Sequence, residues 1–138
     1  MFTSVLAYCL PVFGGCEKYE LEALQVMQNQ AARLVTNLPI RTPRKEIFSS
    51  VGWMTVNQLV VYHSALSTLR IRQSGEPKYL SEMLCRNNRA LAKKSFCFRA
   101  AEQWNSIPES IRKMKRIGQF KSSLKKWILS NDEQFLEP

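Results

Sequence analysis

SFCFRAAEQWNSIPESIRKMKRIGQFKSSLKKWI, residues 95–128, carries both the clearest apolar spacing in the chain and its densest positive charge. Trp104, Ile107, Ile111 and Met114 recur at steps of three, four and three, and Ile117, Phe120, Leu124 and Trp127 repeat nearly the same steps. That is the period of a helix face turned towards a core. Arg112, Lys113, Lys115 and Arg116 form a basic run between the two stripes. Lys121, Lys125 and Lys126 fall away from Phe120, Leu124 and Trp127 and so face outward. An apolar side that docks and a basic side that stays wet suit a surface that meets phosphates or an acidic partner.

The charge is local. Residues 86–126 hold 12 Lys and Arg against Glu102 and Glu109, a net of +10, while the remainder has 8 basic against 9 acidic residues. The whole excess of +9 therefore belongs to one segment, which points to an anionic partner more strongly than an evenly spread charge would. A chain of 138 residues fits one domain and can bury roughly two-thirds of the surface it exposes when unfolded. With 45% hydrophobic and 22% charged residues it has the composition of a folded protein, not of a disordered tail.

Cys9, Cys16, Cys85 and Cys97 form neither a C-x-x-C pair nor a Cys/His ladder, so a zinc site is not expected. They read as reduced thiols of an intracellular protein, nuclear or cytoplasmic. FTSVLAYCLPVFGGC, residues 2–16, makes a poor signal peptide. No positive residue precedes Lys18, Pro11 interrupts the run, and it is shorter than the roughly 20 apolar residues of a membrane span. A buried helix is the better reading; in the alternative in which the segment docks on an upstream domain or partner, Leu6, Val12 and Phe13 are the candidate partner-binding residues.

In order, residues 2–13 read as an apolar helix or extended segment ended by Gly14 and Gly15. Leu21, Leu24, Met27, Ala31, Leu34 and Val35 predict one buried face of a helix from about Tyr19 to Thr36, with Glu17, Glu20 and Glu22 at its dipole-favoured start. Thr42-Pro43 opens a short helix to Ser50, ended at Gly52. Thr55 and Gln58 form a capping box, and Val56, Leu59, Val60, His63, Leu66 and Leu69 follow until Gly75. Glu76-Pro77 makes a turn, Tyr79 to Leu84 a further short helix, and Arg86 to Arg89 a basic loop. Cys97, Ala100, Ala101 and Trp104 begin the closing helices, Pro108 starts another, and Gly118 serves as the cap of the last. No stretch alternates with period two over strand length. The expectation is an all-α single domain, an irregular bundle of about five to seven helices.

Catalytic groups are scarce. His63 is the only histidine and lies between Leu59 and Leu66 on an apolar face; Asp132 is the only aspartate. Metal-dependent phosphoryl transfer needs clustered carboxylates, and a triad needs a base held by an acid; neither is in view. No phosphate-cradling glycine loop appears. The chain is read as no enzyme, with no cofactor, no metal, no small-molecule substrate and no membrane. Candidate nucleic-acid-binding residues are Lys93, Lys94, Arg99, Arg112, Lys113, Lys115, Arg116, Lys121, Lys125 and Lys126. Phe96, Phe98, Trp104, Phe120 and Trp127 could stack on bases, but helical spacing favours the core, above all for Trp104 and Phe120.

Several ordered patterns add a resemblance. They are Leu6, Tyr8, Pro11 and Gly14; Gln28-Asn29 with Ala31-Ala32-Arg33; Arg41-Thr42-Pro43; Gly52-Trp53 with Thr55-Val56 and Gln58-Leu59; and Tyr62-His63. Gly75, Pro77, Tyr79-Leu80, Ser95-Phe96, Arg99-Ala100-Ala101, Trp104 to Pro108, Phe120-Lys121 and Leu124-Lys125 complete the series. In this order they resemble the region downstream of the polymerase domain in reverse transcriptases of non-LTR retrotransposons. The resemblance implies a helical C-terminal region that helps hold template RNA or target DNA. It implies no catalytic residue, because the family's metal-binding aspartates belong to the upstream palm. Two positions depart from the pattern: Phe13 stands where the family tends to have Trp, and the span from Leu84 to Leu91 is short. The alternatives are a helical module that docks on an upstream polymerase domain or a partner subunit, and a truncated retroelement fragment without function.

Overall fold

The computed structural model describes residues 10–39, 41–85 and 95–131. Among them are helices and no strand: α1 Leu10–Phe13, α2 Lys18–Thr36, α3 Arg44–Val51, α4 Val56–Ser74, α5 Lys78–Cys85, α6 Phe96–Ser106, α7 Glu109–Arg112 and α8 Ile117–Ser130. The described residues are all-helical, as expected, and form eight helices rather than five to seven. Two of them, α1 and α7, are single turns of four residues.

The centre is α4, not the closing stretch. Its start is the expected box: Thr55 Oγ1 accepts from the Gln58 N–H at 3.3 Å, and Gln58 Oε1 accepts from the Thr55 N–H at 2.9 Å. Gly75 ends it at φ 71°, a left-handed conformation that costs glycine nothing. Eleven of its nineteen residues are buried, spread round the whole helix. A helix buried on every side must lie inside, and α1, α2, α5, α6 and α8 all pack on it. Ser64, Ala65 and Thr68 are small buried residues of this helix, and the Thr68 hydroxyl donates to the Ser64 carbonyl at 2.9 Å.

The closing helices form one half of the core with Val61, Ala65, Leu66 and Leu69 of α4. Trp104, Ile107 and Ile111 are buried, yet they lie on both sides of a break where α6 stops and Pro108 opens α7. In α8 the buried residues are Phe120, Leu124 and Ile128, each at 0% exposure. This corrects the expected stripe: Trp127 is half-buried and Ile117 lies exposed at the helix start. The working period is i, i+4, i+8, with Ile128 as its last anchor. Burying each such side chain contributes about 1.5–3 kcal/mol. Gly118 is not a cap; it sits inside the first turn, and Arg116 occupies the N-cap position.

The largest correction concerns α2. Its extent, Lys18–Thr36, agrees with the expectation, but only the first half of the expected apolar face points inward, where Leu21 and Leu24 pack on the core beside Leu10 and Met54. Met27, Leu34 and Val35 are exposed, whereas Gln28 and Ala32 are fully buried. The reason is hydrogen bonding. The Gln28 side-chain amide donates to the Met54 carbonyl at 2.8 Å, and Gln25 Oε1 accepts from the Val56 N–H at 2.8 Å. The backbone that launches α4 needs these partners, and only the glutamine side of α2 supplies them.

Candidate nucleic-acid interface

The expected cations gather at the α7–α8 turn and along α8, beside the C-terminal end of α4. The Gln73 side-chain amide donates to the Lys115 carbonyl at 2.9 Å and ties that turn to α4. Lys113, Lys115, Arg116, Lys125 and Lys126 are exposed, while Arg112 and Lys121 are partly buried. Lys113 Nζ meets Glu109 Oε1 at 2.9 Å, an exposed pair that adds little stability. Among the described residues no carboxylate lies within ion-pair distance of Lys115, Arg116, Lys121, Lys125 or Lys126. Along α8, Lys121 and Lys125 share the edge one turn apart, and Lys126 lies about 100° further round.

Two arginines that sequence reasoning missed belong here. Arg72 of α4 stacks over Trp104, its guanidinium carbon 5.3 Å from the ring centroid, and Trp104 in turn stacks on Phe120 at 5.9 Å. The closing tryptophan is therefore a core residue with a cation on its outer face. Arg70 and Lys121 are close enough to act on His63. Burial first, and then Lys121 and Arg70, hold its imidazole below the ordinary 6.5. Its ring meets Tyr62 edge-on at 5.3 Å. Both arginines fall within the apolar run of α4, where their spacing among core residues masked them.

Arg99 has a different task. Its Nη2 donates to the Pro11 and Val12 carbonyls at 3.1 and 3.4 Å, which latches α1 onto α6. Gly14 is required beneath it: a Cβ there would stand 2.5 Å from both Arg99 Nη1 and Val60 Cγ1. Lys93, Lys94 and Leu6, and the side chain of Phe13, lie outside the described residues. Val12 is 67% exposed, while Leu10 beside it is buried against Met54, Val56, Leu59 and Val60.

A cleft of about 490 Å³ opens where the C-terminal end of α8 passes α3 and the start of α4. Arg44, Lys45, Phe48, Trp53 and Leu129 line it. Leu129 sits one turn beyond Lys125 and Lys126, so the cations of α8 lead towards Arg44 and Lys45. Charge beside an aromatic wall can take a backbone phosphate and an unstacked base.

Among the described residues there is no group of three or more His, Cys, Asp or Glu that could hold a metal. Cys16 and Cys97 are free, and burial raises both thiols above their ordinary range, which keeps them protonated. Among the described residues no helix is long and apolar enough to cross a membrane. Comparison with protein-family models, with curated proteins and with solved structures returned no match for this chain.

Proposed function

We propose that this chain is a non-catalytic helical region of a reverse-transcriptase-like protein, which holds the phosphate backbone of template RNA or target DNA along a basic face, in the nucleus or cytoplasm. The observation that carries the reading is the set of cations on α8 and the α7–α8 turn, most of them exposed and, among the described residues, only Lys113 held by a carboxylate. Arg112, Lys113, Lys115 and Arg116 meet the backbone at one end, Lys121, Lys125 and Lys126 continue it, and Arg44 and Lys45 receive it at the cleft. Contacts to phosphate position a strand without reading its sequence.

If four of these cations meet duplex phosphates, log affinity falls with log salt at a slope of about −3.6. Fluorescence anisotropy with labelled RNA and DNA duplexes measures it. Reversing Lys121, Lys125 and Lys126 to Glu abolishes binding while circular dichroism stays unchanged. Affinity that is flat across salt, or unaffected by the reversal, overturns the reading. A second reading, a module that docks on an upstream polymerase domain or a partner subunit, is favoured by the exposure of Val12 on a helix otherwise pinned by Leu10.

A further inference from the structure

The outer side of α2 presents Tyr19, Val26, Met27 and Leu34, each between 51% and 84% exposed. With the exposed Ala23 and Gln30 they make a stripe whose steps are four, three, one, three and four. That order is the same from either end. An antiparallel copy centred between Val26 and Met27 therefore sets Tyr19 against Leu34, Ala23 against Gln30 and Val26 against Met27. The same operation brings Glu20 level with Arg33 and opposes the two helix dipoles. The acidic start of the helix, with Glu17, Glu20 and Glu22, meets the end that carries Arg33, whose guanidinium also donates to the Pro39 and Thr42 carbonyls. An anionic lipid surface would instead meet those glutamates, and phosphate finds no cation along the stripe.

We infer that the outer face of α2 is a self-association surface on which a second copy of this chain seats antiparallel, about a two-fold axis between Val26 and Met27. The helix is about 28 Å long. An interface of that length is at the small end of specific contacts, so the dimer is weak and concentration-dependent. It needs no nucleic acid and stands apart from the basic face.

Light scattering on the intact chain without nucleic acid, over a range of concentrations, tests it. The mass rises from 16.0 kDa towards twice that value. Met27→Glu and Leu34→Glu, at exposed helical positions that accept glutamate, hold it at one copy. Tyr79→Glu, an exposed apolar residue elsewhere, leaves the dimer intact. Ala23→Lys weakens association, and adding Gln30→Glu restores it only if the copies run antiparallel. A mass of one copy at every concentration, dimers that survive Met27→Glu, equal loss in Tyr79→Glu, or no rescue by Gln30→Glu would each overturn the inference.

Discussion

Helices α2 and α4 are both nineteen residues long, and each opens on a cap in which its third residue reaches back, Glu20 to Glu17 and Gln58 to Thr55. Their fates diverge completely. Eleven residues of α4 are buried, and only Gln28 and Ala32 of α2. Local signals of similar quality thus produced a hub and a strut. The strut is held by two glutamine clips and by Leu21, Leu24 and Ala32, while Tyr19, Val26, Met27, Leu34 and Val35 are left for something else to cover. Length and capping report that a helix forms; they say nothing about where it goes.

The widest gap should appear on truncating leucines. Leu69→Ala, 4% exposed in the core beside Trp104, should destabilise by about 2–5 kcal/mol, whereas Leu34→Ala, 84% exposed, should change stability by no more than about 0.5 kcal/mol. Chemical denaturation of the two variants, at concentrations too low for the dimer, measures it. Equal losses would mean that α2 is buried by a partner even in the isolated chain.

A smaller effect tests the clip. Gln28→Ala strips the Met54 carbonyl of its donor in a buried site, at a cost of about 1–3 kcal/mol. Gln30→Ala, on the exposed side of the same helix, should be neutral. If both variants melt alike, the glutamine clip does not hold α2.

The smallest effect concerns His63, on the least buried strip of α4. Its folded-state pKa is lowered, so below 6.5 the unfolded chain binds the proton more readily than the folded one. Its contribution is fully present above 6.5 and is lost as pH falls through 6.5 towards the lower folded value. His63→Gln should flatten this part of the melting-temperature profile. Phosphate bound at Lys121 and Arg70 should move the imidazole back up, visible by NMR titration with RNA present or absent.

Much of the fold was legible because caps and stops are local. Thr55 with Gln58, Gly52, Gly75 and Pro108 act through backbone geometry within four residues, and they mark boundaries that the structure reproduces to within a residue or so. The candidate interface was half legible. Lys125 and Lys126 of α8 face solvent and Lys121 is partly buried beside His63, but Arg99 turned inward to the α1 carbonyls, and Arg70 and Arg72 were hidden in an apolar run.

The amino-acid order alone set the all-helical class, the helix ends and the concentration of positive charge in one segment, since each depends on neighbours within a few turns. The tertiary structure alone decided that Val56–Ser74 is the hub, that Gln28 is buried while Leu34 is exposed, and that Ile128 rather than Trp127 anchors the last helix. Those outcomes depend on which surfaces compete for the same interior. A buried backbone carbonyl that demands a donor can outrank a leucine that merely prefers one.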